Sequence, residues 1–238
     1  GQFSLMNTPV LSVSYPLIVP VAASLKLFGS GILEARLPMV VYMFLLVVFF
    51  YLFTKKRYGF LGAILSVLLL LSFSPFYGNG RPVLGEVPGL TFLVLGAWLL
   101  LLWEETNFES KKLAFCAGLA FGFSCATKEI YLVGVPVALL ISFLIFWFRK
   151  IENKKTLLYF VSGFIPPVLV WIYIHLISSN LVLQFIPNFL YYSGNHGSSL
   201  SATETILTNL KRFFTETTPI LFLLLVTVII ISFVFRYR

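Results

Sequence analysis

Glu86 lies in the loop Asn79-Gly-Arg-Pro-Val-Leu-Gly-Glu-Val-Pro88, five residues after Arg81 and between two strongly apolar runs. A carboxylate can take a proton or hold a cation, and a guanidinium can hold an anion. Charge at the mouth of two membrane helices is costly to place, which makes this loop a candidate for chemistry. A second charged pair, Lys128 and Glu129, follows the apolar run that ends at Thr127. Plainer readings stand beside these. Glu86 also fits a solvated loop acid, and Lys128, Glu129 and Arg36 fit anchors that snorkel to the membrane boundary. His196 fits a turn residue, and His175 an interhelical hydrogen-bond donor.

The elements that would position these residues are membrane helices. Of the 238 residues, 59% are hydrophobic and 11% charged, against about 25% charged in a soluble domain. All nine acids are glutamate. Cys116 and Cys125 share one apolar segment, lack metal-ligand spacing and read as two buried small hydrophobes. The net charge of +8 would suggest nucleic acid in a soluble protein. Here it fits basic loops that hold a membrane topology, so no nucleic-acid partner is expected. No phosphate-cradling glycine loop, HExxH pair, serine elbow or dinucleotide fingerprint is present. A nucleotide-driven pump is therefore unsupported.

Six segments are apolar enough to cross a bilayer: 37–53, 60–74, 87–103, 113–127, 131–148 and 157–177, and a seventh, 219–235, closes the chain. The predicted fold is all-α, a polytopic transmembrane bundle of about seven spans plus an outer juxtamembrane helix. Strict alternation puts the connectors 54–58, 104–112, 149–155 and 236–238 on one side, with eleven of the 17 Lys and Arg residues. The positive-inside rule makes that side cytoplasmic. Arg81, Glu86 and Lys128 then face outward, in a multi-pass protein of the cell membrane whose active face is periplasmic or extracellular. No Asn-x-Ser/Thr sequon occurs, which leans towards a prokaryotic membrane. Residues 16–28 are apolar but too short for a span, and read as an interfacial or re-entrant helix. Residues 1–35 form an outer segment containing that helix, and 36–238 form the helical domain with a long outer loop at 178–218. Tyr77, Trp103 and Tyr131, near span ends, fit an interfacial aromatic belt. Gly118-Leu-Ala-Phe-Gly122 is a close-packing motif between helices.

Four stretches carry a family resemblance. Pro16 to Gly29, ending Lys-Leu-Phe-Gly, resembles a juxtamembrane helix of the first outer loop. Glu34-Ala-Arg-Leu-Pro38 resembles the entry to the next span. Arg81-Pro-Val-Leu-Gly-Glu-Val-Pro88 resembles an outer loop that holds an active-site acid. Ala126-Thr-Lys-Glu129 resembles a Thr-Lys element on the same face. In order and spacing the chain resembles the membrane half of the GT-C glycosyltransferases, closest to protein O-mannosyltransferases and the lipid A aminoarabinose transferase, over about residues 10 to 177.

That resemblance implies transfer of a sugar from a polyprenyl-phosphate carrier to a lipid, glycan or protein acceptor on the non-cytoplasmic side. It implies Arg81 and Lys128 as ligands of the donor phosphate, with Arg36 in second place. It implies Glu86 as the second acid of the site, orienting the acceptor, positioning the cations or binding a metal. A divalent metal ion is a possible cofactor, and His196 a weak candidate ligand. The family's principal acid, usually Asp, belongs to an outer loop that would precede Gly1. The chain has no Asp and no acid before Glu34. It therefore reads first as a segment that lacks the first span and catalytic loop and is inactive alone, with an inactive relative, or a Glu86 that has taken over the role, as the alternatives. Two other classes stay open. One is a transporter or flippase for lipid-linked sugars, which predicts repeats and midplane charge. The other is a non-catalytic membrane subunit.

Overall fold

A computed structural model describes residues 4–5, 8–9, 13–128, 130–132, 134–137, 139, 155–174, 207 and 211. They are helical apart from short links and one minimal antiparallel ladder, β1 (Ser4–Leu5) with β2 (Thr8–Pro9). The chain divides into two units, Gly1–Val182 and Leu183–Arg238. Every element described below belongs to the first. Of the second only residues 207 and 211 are described, so most of the long loop at 178–218, and all of the seventh span, lie outside the described residues.

Helix α1 (Tyr15–Phe28) has 14 residues. At 1.5 Å per residue it is about 21 Å long, short of the ~30 Å hydrocarbon core. Pro16 fits its first turn, where a missing N–H costs nothing. It stops at Gly29, whose φ of 116° is open to glycine and strained for other residues. Helix α2 (Ile32–Ser72) runs for 41 residues but breaks at Gly59 (φ 76°, ψ −175°). It is thus two helical segments joined across a kink. The connector expected at 54–58 is itself helical, and the turn shrinks to one glycine. Lysine and arginine sustain a helix well, and the Thr54 hydroxyl folds back on the carbonyls of Phe50 and Tyr51.

Prolines inside α1 and α2 explain how the two helices are fastened. Pro20 has no N–H for the carbonyl of Pro16, and Pro38 has none for that of Glu34. Both orphaned acceptors are filled from the other helix. The Tyr42 hydroxyl donates to the Pro16 carbonyl at 2.6 Å. The Ser24 hydroxyl donates to the Glu34 carbonyl at 2.6 Å. A short helix α3 (Ser74–Gly80) then leads into α4 (Glu86–Glu105). Leu17, Met39, Tyr42, Leu46, Phe76 and Val87 form one buried cluster that joins α1 through α4.

Helix α5 (Lys111–Thr127) starts at Ser110, whose hydroxyl accepts from the Leu113 N–H. It packs against α6 (Lys155–Ile172) through three glycines. A Cβ on Gly118 would strike the Phe160 carbonyl oxygen. One on Gly122 would come 2.5 Å from the Phe164 oxygen, and one on Gly163 would strike that of Phe115. The backbones therefore touch, as small residues at a membrane helix crossing allow. Trp103, Ala117, Phe121, Cys125 and Phe160 form a second buried cluster here.

Among the described residues three helices, α2, α4 and α6, are long and apolar enough to cross a membrane. The expected all-α membrane bundle is what the chain forms. Two placements, one inward and one outward, correct the sequence reading. Trp103 is 2% exposed, stacked on Phe160 and edge-on to Phe108, so it belongs to the core and not to an interfacial belt. Cys125 is buried, but Cys116 is exposed on α5, so only one of the two cysteines is a buried hydrophobe.

Candidate active site

Glu86 is the first residue of α4 and not a loop residue. A carboxylate suits that position, because the positive end of the helix dipole and the unpaired N–H groups lie there. Pro88 falls in the same first turn and breaks no helical bond. Lys128 is the residue on which α5 ends, with extended backbone (φ −152°, ψ 146°). Gly85 lets the two helix ends meet. A Cβ on it would lie 3.0 Å from Val13 Cγ1, 3.1 Å from Lys128 Cβ and 3.3 Å from the Thr127 oxygen. The link before α1 passes through the same junction, where the Ser14 N–H donates to the Thr127 carbonyl at 3.1 Å.

In this junction the Lys128 ammonium donates to Glu86 Oε1 as an ion pair. The side chains are 23% and 33% exposed respectively. The pair is therefore reachable from outside yet sheltered enough for its charges to interact more strongly than at an open surface. Glu86 Oε2 is buried and has no hydrogen-bond partner among the described residues. The site thus holds a carboxylate oxygen with spare acceptor capacity beside a fixed cation.

The surroundings hold both residues by their backbones. The Tyr131 hydroxyl donates to the Glu86 carbonyl at 2.8 Å, and the Tyr131 N–H donates to the Lys128 carbonyl at 3.0 Å. The ring of Tyr131 lies against Gly89, where any Cβ would collide with it. Tyr131 is thus turned inward on α4, a correction to its reading as a belt residue. The Ser124 hydroxyl ties α5 to the Gly89 carbonyl at 2.8 Å. The Thr91 hydroxyl ties α4 to the Tyr42 carbonyl at 3.1 Å. Tyr15 reaches from α1 to the Pro167 carbonyl of α6 at 3.1 Å. Burial pushes its phenol up to about 12, so at neutral pH it stays protonated and able to donate.

The structure joins Glu86 to Lys128 but leaves other predicted residues apart. Arg81, just past α3, is exposed and makes no ion pair among the described residues. Arg36, in the second turn of α2, is likewise exposed and without an ion pair among them. His196, His175 and Glu129 lie outside the described residues. No group of three potential metal ligands comes together among the described residues. Glu86, with one oxygen already on an ammonium, does not make a metal centre by itself. Tyr131 is the residue that sequence reasoning missed. Its place three positions after Lys128, at the start of an apolar run, was the only available signal.

Residues 17–173 match the family of dolichyl-phosphate-mannose-protein mannosyltransferases, a stretch running from α1 to the end of α6. The chain belongs to this family. No curated protein and no solved structure matches it significantly. The mannosyltransferase family is of the GT-C type, and membership makes the chain an integral-membrane protein of glycosyltransferase kind. The matched stretch contains Arg36, Arg81, Glu86 and Lys128, whereas His196 falls beyond it.

Proposed function

We propose that the protein transfers a sugar from a polyprenyl-phosphate carrier to an acceptor on the non-cytoplasmic face of the cell membrane. Family membership supports the donor class. The observation that carries the site is the Glu86–Lys128 pair, partly exposed at a helix end, with one carboxylate oxygen unpartnered among the described residues. Such a transfer releases a lipid phosphate and removes a proton from the acceptor. A cation must therefore stabilise charge on the leaving phosphate, and a carboxylate must orient or deprotonate the acceptor. Lys128 suits the first role as a compact point charge, and Glu86 the second. A phosphate competing for Lys128 would loosen its hold on Glu86, so donor binding itself readies the carboxylate. Arg81 and Arg36, exposed on the same face in this reading, attract the anionic headgroup at longer range.

The flippase reading gains nothing from the helices. The break in α2 falls at Gly59, beside Lys55, Lys56 and Arg57, and not in the apolar middle of a span.

The test is sugar transfer by the full-length protein in its native membranes, with polyprenyl-phosphate mannose labelled in the sugar. Loss of a positioned acid–base group costs about 10²–10⁴-fold. Glu86→Gln should lower turnover by at least about 100-fold. Turnover within twofold of wild type would remove Glu86 from the mechanism.

A further inference from the structure

Tyr131 contacts the backbone of both members of the ion pair. Its N–H donates to the Lys128 carbonyl at 3.0 Å, and its hydroxyl to the Glu86 carbonyl at 2.8 Å. Its own carbonyl accepts from Cys125 Sγ at 3.4 Å, which ties it down onto α5. Its ring lies on the bare face of Gly89 and against the buried cluster that contains Phe121 and Cys125. A belt tyrosine turns its hydroxyl to lipid headgroups, whereas this one spends it on a backbone carbonyl of another helix.

We propose that Tyr131 is a positioning residue that holds Glu86 in reacting geometry. The inference rests on the reading of Glu86 as the acceptor-facing carboxylate. Glu86 is the first residue of its helix, where ends fray and the backbone is least constrained. The N-cap Gly85 offers no side-chain cap to steady it. The phenol supplies that restraint from outside the helix. A carboxylate direction is set by the backbone it hangs from, and a misplacement of ~1 Å at a reacting group can cost about 100-fold in rate.

The two contacts of Tyr131 can be separated. Tyr131→Phe keeps the ring on Gly89 and the N–H bond to Lys128, and loses only the bond to Glu86. The phosphate side of the site is then untouched. The experiment is labelled-mannose transfer from polyprenyl-phosphate mannose by full-length protein in native membranes, with donor concentration varied, for Tyr131→Phe, Glu86→Gln and Tyr42→Phe. Thermal unfolding of each is followed in detergent. Tyr42→Phe is the control for a lost phenol–carbonyl bond, since Tyr42 bonds Pro16 and not the pair.

For Tyr131→Phe we expect kcat to fall about 10- to 100-fold with donor KM unchanged within twofold. Tyr42→Phe should keep kcat while unfolding at lower temperature. Unchanged kcat in Tyr131→Phe, with turnover lost in Glu86→Gln, overturns the positioning role and leaves the reading of Glu86 standing. A raised donor KM at unchanged kcat also overturns it, as does an equal fall of kcat in Tyr42→Phe. Full turnover in Glu86→Gln overturns the reading of Glu86 and the inference with it.

Discussion

Glu86 and Lys128 neutralise each other across two helix ends, and this shapes what either can do. An unpaired lysine at 23% side-chain exposure would pay part of its hydration for nothing in return. Paired, it is held at the Glu86 carboxylate until an anion competes for it. Lys128→Gln removes the charge but keeps a hydrogen-bond donor. A hydrogen bond to a charged group is worth about 1.5–3 kcal/mol, which corresponds to roughly 10- to 100-fold in affinity. Donor KM in the mannose-transfer assay should rise by that factor, and an unchanged KM would exclude Lys128 from the phosphate site. The residue types at 86 and 128 were legible in the sequence because charge is rare in membrane helices. Their pairing was not. Arg81 stands only five residues from Glu86 in sequence, yet the folded chain gives the carboxylate to a lysine 42 positions away.

Helices are positioned here by what prolines remove and glycines allow. Pro20 and Pro38 vacate two carbonyls, and Tyr42 and Ser24 fill them across the α1–α2 contact. In a membrane an unfilled carbonyl has no water to turn to, so these bonds are part of the packing and not an addition to it. At the α5–α6 crossing Gly118 and Gly122 were visible as a spaced motif, whereas their counterpart Gly163 is a lone glycine with no pattern around it. Gly163→Ala should force the helices apart, because the new methyl meets the backbone oxygen of Phe115, which cannot swing aside. Overpacking of this kind costs about 1–3 kcal/mol. Thermal unfolding in detergent should show the loss, and stability equal to wild type would mean that the crossing is looser than described. Gly134, where a Cβ would meet nothing within 4 Å among the described residues, serves as the neutral comparison.

Among the described helices, the ion pairs lie at opposite ends of α4. Lys56 pairs with Glu105 at 2.7 Å and Arg57 with Glu104 at 3.1 Å, joining the break in α2 to the far end of α4. Glu86 and Lys128 occupy the opposite end of α4. The ion pairs are about half exposed and worth little in stability, but they agree with the alternation that places both connectors on one side. Orientation in the membrane can be checked directly. Single cysteines at Arg81 and Lys56, with Cys116 and Cys125 replaced by serine, are treated with a membrane-impermeant maleimide on intact cells. Arg81→Cys should label at once, and Lys56→Cys only after permeabilisation. The reverse pattern would place the Glu86 end in the cytoplasm.

Hydrophobicity and length by themselves determined that this chain is a bundle of membrane helices, and which residues carry rare charge. Those properties are local and survive without knowledge of neighbours. Which face of a helix meets another was decided only by the tertiary structure. Lipid-facing and protein-facing side chains are equally apolar, so periodicity is nearly silent about them. Trp103 and Tyr131 therefore read as belt residues and turned out to face inward. The same silence hid the seat of Tyr131 on Gly89. Only the close approach of α4 to the end of α5 made Glu86, Lys128 and Tyr131 into one site.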